Sequence, residues 1–163
     1  MRASCTDRRT PQLGFTLPEL VIVLVLLGVL AAVALPKLDG ALGMREAAWR
    51  DQVVAALRHA RSTAISHRRL VCATVASGHV QLAIATAHGA STCTAALAAP
   101  DGSAAWAADA GTIATTVAPA GALYFQPSGR VTTDGAGAAA GTRTIAIAGE
   151  AAITVIGETG HVQ

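Results

Sequence analysis

Side chains that could perform acid–base, nucleophilic or metal chemistry are few and scattered in this 163-residue sequence. Serine lies beside histidine in Ser66-His67 and Ser77-Gly78-His79, but neighbouring residues of a helix or strand point in different directions. The histidines lack the i, i+4 spacing and the paired CxxC pattern of a zinc site; they are His59, His67, His79, His88 and His161. The sequence therefore predicts no catalytic residue, no metal site and no cofactor, and it favours a protein that is not an enzyme.

One carboxylate, Glu19, lies in an otherwise apolar segment. The sixteen residues from Leu20 to Leu35 carry no charge, and the segment extends back to Phe15 when Glu19 is included. As a helix this segment spans about 31 Å, roughly the thickness of one hydrocarbon core. A carboxylate at the centre of a membrane helix costs about 2.5 to 3.5 kcal/mol and normally has a partner. Glu19 is therefore either a pairing residue or an interfacial residue near a helix N-terminus, where negative charge is favoured.

A polar leader with three arginines precedes the apolar segment and ends at Gly14. An ordinary secretory signal places its cleavage site after the apolar run, whereas here the leader ends directly before it. Cleavage after Gly14 would leave the apolar helix on the mature protein. It would also leave nine basic and nine acidic residues, so the formal charge of +2 would fall to zero. A neutral chain has no overall electrostatic attraction for nucleic acid.

The run Gly14-Phe15-Thr16-Leu17-Pro18-Glu19-Leu20, followed by an apolar helix, resembles the type III signal of type IV pilins and secretion pseudopilins. The resemblance implies that a prepilin peptidase cuts after Gly14 and methylates the new amine of Phe15. It also implies that Glu19 pairs, within a filament, with the Phe15 amine of a neighbouring subunit. The partners it implies are therefore other pilins or pseudopilins, the prepilin peptidase and the inner membrane.

The cysteine count is three, with Cys5 in the leader and Cys72 and Cys93 in the body of the chain. If Cys5 is removed with the leader, the remaining even pair is consistent with one disulfide in an oxidising compartment. Closing that loop would stabilise the fold by about 3 kcal/mol. Two buried free thiols are the alternative.

After Pro36 the apolar residues recur at steps of three, four and seven, which predicts an amphipathic helix ending near His67. The stripe consists of Leu38, Leu42, Trp49, Val53, Leu57, Ala60 and Ala64. The opposite face is rich in arginine and is predicted to be solvated, with a partner-binding surface as the alternative; it carries Arg45, Arg50, Arg58, Arg61, Arg68 and Arg69.

Beyond Arg69 the sequence changes to β-branched and alternating runs separated by glycine-rich turns, which predicts a sheet packed on the helix. The predicted strands are 70–75, 79–86, 123–126, 130–132, 142–148 and 151–156. Residues 88–122 show no clear period and are predicted to form long loops with at most short strands.

Three segments of the sequence are similar to the FimT and GspH group of minor pilins: Ala60 to Ile65, Phe125 to Arg130 and Ile153 to Val162. The resemblance implies a pilin-like α+β fold, in which a long N-terminal helix, half transmembrane and half amphipathic, packs on an antiparallel sheet. It implies a cleaved leader over 1–14, a transmembrane helix over 15–36 and a periplasmic domain over 37–163. The expected function is that of a FimT-like minor pilin in pilus assembly, with a GspH-type pseudopilin of type II secretion as the alternative.

DNA uptake is a further alternative for FimT-like proteins, and here the residues argue against strong binding. Some such proteins carry a C-terminal Gly-Arg-x-Arg motif, but the matching positions of this chain read Gly160-His161-Val162-Gln163. Arg130, Arg143 and His161 remain as candidate contacts. Because so few fixed cations could release counterions, we expect any DNA binding to be weak. A signal-anchored periplasmic enzyme is the alternative from another class, and no site supports it.

Overall fold

A computed structural model describes residues 17–109 and 113–163, with the side chains of 31–43 outside that description. Helix α1 covers Leu17–His67. The strands are β1 Val71–Ala76, β2 His79–Ile84, β3 Ala95–Ala96, β4 Ala107–Ala108, β5 Thr115–Ala118, β6 Leu123–Phe125, β7 Val131–Thr132, β8 Arg143–Ile147 and β9 Ile153–Val155. The chain divides into two compact units between Ala41 and Leu42.

Helix α1 ends where the sequence predicts, in a left-handed turn. Arg68 has φ of 52° directly after His67, and the Arg69 amide donates a hydrogen bond to the Ala64 carbonyl at 3.2 Å. The Arg68 amide donates to the Ile65 carbonyl at 3.3 Å, which completes a Schellman-type cap. Glycine is the usual residue at such a position, so Arg68 carries a conformational cost.

The strands form two antiparallel sheets. The larger sheet has the order β3-β2-β1-β6-β7, with β4 also paired to β2, and the smaller has the order β5-β8-β9. The β1–β2 hairpin pairs Val71 with Ile84 and closes through a two-residue turn in which Gly78 has φ of 75°. All registered pairs are antiparallel, so the α+β fold class is confirmed.

The core lies between the amphipathic face of α1 and the inward faces of both sheets. The described part of the predicted stripe is buried: Trp49, Val53, Leu57, Ala60 and Ala64 are each 1% exposed or less. They share one cluster with strand residues that include Leu123, Phe125, Val131, Ile145 and Ile153. Leu38 and Leu42 lie where side chains are outside the description.

The region 88–122 contains β3, β4 and β5, in line with the prediction of loops with short strands. Strand β5 is anchored to the helix by a buried hydrogen bond, in which the Trp49 indole N–H donates to the Thr115 hydroxyl at 3.0 Å. Tryptophan seldom buries its N–H without a partner, so this bond fixes where β5 meets the core.

Candidate functional site

The N-terminal part of α1 presents apolar side chains on its surface. Every large hydrophobic residue between Leu17 and Leu30 is between 42% and 77% exposed. Glu19 lies in the first turn of the helix and is also exposed. Among the residues that the structure describes, no helix has both the length and the apolar character needed to span a membrane. The predicted processing residues, Gly14 and Phe15, lie outside the described residues.

Two arginines of α1 hold the C-terminal tail by charge-assisted hydrogen bonds to backbone carbonyl groups. Arg58 Nη2 donates to the Val162 carbonyl at 3.2 Å, and Arg61 Nε donates to the Thr159 carbonyl at 3.1 Å. The predicted solvated face thus has contacts that its sequence pattern does not reveal. The sequence pattern of an arginine-rich face is the same whether its side chains bind water or backbone carbonyl groups.

Two further arginines contact other parts of the same domain. Arg45 forms an ion pair with Asp109, with Nη2 and Oδ2 3.1 Å apart. Arg50 Nε donates to the Ala151 carbonyl at 3.0 Å. The polar face of α1 therefore joins loops from both sheets, in addition to the contacts made by its apolar face.

The C-terminal tail is closely packed as well as hydrogen-bonded. Thr154 and Gln163 exchange two backbone hydrogen bonds, of 2.8 and 3.0 Å, and Val155 bridges Val162. Gly160 has φ of 63°, and a Cβ atom there would collide with the Gly129 carbonyl oxygen. Glycine is required at this position by both its conformation and its close approach.

The three predicted DNA-contact residues have different environments. Arg143 is only 5% exposed and donates from Nη1 to the Pro119 carbonyl at 2.7 Å. Arg130 forms an ion pair with Glu158 at 3.0 Å, whereas His161 is exposed. The expectation that Arg143 offers a phosphate contact is corrected, because alternation along β8 points this side chain toward the buried face.

His59 is a half-buried imidazole that sequence spacing did not single out from the other histidines. Its ring stacks on Trp106 with the ring centroids 4.0 Å apart and an interplanar angle of 17°. Its Nε2 lies 3.1 Å from the Thr63 hydroxyl oxygen. Burial lowers the pKa of His59 from its ordinary value, because the charged form loses hydration.

The structure joins Cys72 on β1 to Cys93 in the loop after β2 by a disulfide bond, with the Cα atoms 6.0 Å apart. This is the pairing that the cysteine count predicts. Over residues 17–109 and 113–163, no group of three or more histidine, cysteine or acidic side chains is arranged to hold a metal ion.

Comparison with protein families gives two matches along the chain. Residues 9–35 match the prokaryotic N-terminal methylation motif, and residues 50–160 match the type II transport protein GspH. No curated protein and no solved structure matches the chain. The GspH match covers more than half of the sequence and the two matches together agree with a pilin-like minor pilin or pseudopilin, so the chain belongs to the GspH family.

Proposed function

We propose that this protein is a FimT-like minor pilin, held in the inner membrane with its C-terminal domain in the periplasm, that takes part in type IV pilus assembly. Its family is one of structural pilins and pseudopilins and not of enzymes. The single observation that carries the proposal is the methylation motif over 9–35, directly before and within a helix whose apolar side chains are exposed. Such a helix requires a membrane or neighbouring helices to cover it.

Assembly follows from the order of the segments. A prepilin peptidase removes residues 1–14 and methylates the amine of Phe15, and the helix then remains in the membrane as an anchor. On entry into a filament, lipid contacts of residues such as Leu24 and Leu27 are exchanged for van der Waals contacts with other pilin helices. The Glu19 carboxylate pairs with the Phe15 amine of a neighbour, which fixes the axial position of the incoming subunit.

The processing step is tested by the intact mass of the protein extracted from membranes. We expect a mass equal to that of residues 15–163 plus one methyl group, because the peptidase both cleaves and methylates. Deletion of the peptidase gene is the control and should leave the full-length mass. Retention of residues 1–14 in the wild-type strain, or a cut beyond Leu35, would rule out the pilin-type role.

The assembly step is tested by the substitution Glu19→Val. We expect normal cleavage and loss of the protein from sheared filaments, because a neighbouring amine would be left unpaired in an apolar environment. Asp51→Val is a matched control, since Asp51 is an exposed carboxylate further along the same helix. Normal incorporation of the Glu19→Val protein would show that Glu19 is only interfacial.

A GspH-type role in the type II secretion system is the second candidate, favoured by the description of the family that matches residues 50–160. Deletion of the gene distinguishes the minor-pilin role from the pseudopilin role. Loss of pilus-dependent functions with normal release of exoproteins supports the minor pilin, and the opposite result supports the pseudopilin.

A further inference from the structure

A groove of about 550 Å³ lies in the C-terminal unit, on the face of the larger sheet that points away from the helix. Its base is formed by β1, β2 and β6, where Thr74, Gln81 and Tyr124 alternate with residues that point into the core. Its volume falls in the range of pockets that hold small molecules.

The wall of this groove is covalently fixed. The segment 91–94 borders the groove on one side, and the Cys72–Cys93 disulfide ties that segment to β1. Gly135 also lines it, and a Cβ atom at this position would collide with the Ser91 carbonyl oxygen, so the two backbones are in close contact. A groove that is already formed before binding avoids part of the entropic cost of ordering its loops.

No charged side chain lines the groove, and its surface mixes apolar residues, mostly alanine, with six polar side chains: Thr74, Gln81, Ser91, Thr92, Thr94 and Tyr124. Thr74, Gln81, Ser91, Thr92 and Tyr124 have no side-chain hydrogen bond to any other residue that the structure describes. Thr94, which also lines the groove, differs from them, because its hydroxyl group lies 3.4 Å from the Thr86 hydroxyl group. The groove therefore gathers unused hydroxyl and amide groups around one aromatic ring.

We infer that this groove binds a neutral saccharide. Hydroxyl and amide side chains both donate and accept hydrogen bonds, which matches a ligand covered with hydroxyl groups. The half-buried Tyr124 offers a flat apolar ring with a polar end against which a sugar ring can stack.

Other classes of ligand fit the groove less well. An ionic ligand would lack a countercharge here. An extended peptide would more readily add to a strand edge than lie across this face. The inference does not depend on the proposed role in assembly.

The test measures binding of N,N′-diacetylchitobiose and of cellobiose to the full chain by saturation-transfer NMR and calorimetry. The protein is held in a zwitterionic detergent, because glycosidic detergents would compete for the groove. We expect saturable binding of at least one disaccharide, weakened at least tenfold by Tyr124→Ala and to a smaller extent by Tyr124→Phe. Gln81→Ala should also weaken it, since Gln81 is exposed and its loss does not disturb the core.

Thr116→Ala is the matched control, because Thr116 is an exposed threonine on β5, in the other sheet, and does not line the groove. Circular dichroism of each variant establishes that the fold is retained. Absence of binding by both disaccharides would overturn the inference. So would equal affinity of the wild type, Gln81→Ala and Tyr124→Phe proteins, or a preference for an uncharged peptide over both sugars.

Discussion

At the level of single residues, guanidinium groups of α1 bind backbone carbonyl groups on a face that the sequence predicts to be solvated, with a partner-binding surface as the alternative. Arg58 and Arg61 donate to carbonyl groups of the C-terminal tail, which has no side-chain carboxylate at those points. Hydrogen bonds from charged donors contribute about 1.5 to 3 kcal/mol when protected, and less at an exposed surface. The tail, which carries no arginine from Gly157 to Gln163, is thus fixed by arginines of the helix.

The imidazole of His59 makes stability depend on pH. Above about pH 6.5 it is neutral in both the folded and unfolded states. Below that value the unfolded chain binds a proton, whereas the folded chain binds it only at lower pH because burial lowers the pKa of His59. We therefore expect the free energy of unfolding to decrease as the pH falls from about 6.5 through the lower folded-state pKa. Urea denaturation at pH 8 and at pH 5 measures this change in the free energy of unfolding.

The variant His59→Gln isolates this contribution, because glutamine does not titrate and can still bind the Thr63 hydroxyl. Its free energy of unfolding should change less between the two pH values than that of the wild type. His67→Gln is the control, since His67 is exposed at the end of α1, and it should behave like the wild type. An identical pH dependence in the His59→Gln protein would contradict the prediction.

At the level of elements, the long connection after β2 has the disulfide as its covalent link to the sheet. Residues 85–94 contain no strand, and the disulfide ties their end to β1. Strand β3 adds only two residue pairs to the sheet edge, Ala83 with Ala96 and Ile84 with Ala95. Of the 21 buried residues in the core cluster that the structure describes, two are aromatic and five are alanine, which buries little area per residue. A covalent link therefore carries a larger share of the stability than in a domain rich in aromatic residues.

The double variant Cys72→Ser/Cys93→Ser should unfold with a free energy about 3 kcal/mol below that of the wild type, because the unfolded chain regains the freedom of a closed loop. Denaturation in urea measures the difference. Reductant should lower the stability of the wild type and leave the double variant unchanged, which serves as the internal control. Stoichiometric alkylation of either cysteine in unreduced periplasmic material would contradict the disulfide itself.

At the level of the whole molecule, the two units have surfaces of opposite character. The N-terminal helix exposes apolar side chains, whereas the C-terminal unit buries most of its large apolar residues in one cluster, with Met44 and Ile65 as exposed exceptions. Nine basic and nine acidic residues follow Gly14, so residues 15–163 have no formal net charge. The association of this protein with partners is therefore expected to rest on its apolar helix and on short-range contacts, with little long-range electrostatic steering.

We accordingly predict weak binding of duplex DNA by the fragment from Asp39 onward, no tighter than the roughly 10⁻⁴ to 10⁻⁶ M typical of non-specific binding at physiological salt. Arg143 is buried and Arg130 is paired with Glu158, so few cations are available to displace counterions. Fluorescence anisotropy at pH 6 and pH 8, each at two salt concentrations, measures the affinity.

Submicromolar binding at pH 8 that is lost in Arg130→Ala, but kept in a control Arg68→Ala, would establish DNA as a partner. Submicromolar binding at pH 6 alone would equally contradict the prediction.

The sequence by itself determined the features that depend on local order. The apolar segment with Glu19, the end of α1 at His67 and the burial of Trp49 and Leu57 follow from periodicity and capping, which neighbouring residues encode. Most strands, and the pairing of the two cysteines, could likewise be read from alternation and from a simple count. The resemblance of residues 14–20 to a type III signal, and of three later segments to the FimT and GspH group, then indicated the fold class.

Only the tertiary structure decided which distant groups meet. The burial of Arg143, the carbonyl partners of Arg61 and the stacking of His59 on Trp106 depend on strand register and on loops without periodicity. The groove beside Tyr124 likewise exists because a loop distant in sequence is tied to β1 by the disulfide. Local sequence cannot specify such contacts, because they arise only when the sheets have paired and the chain has closed on itself.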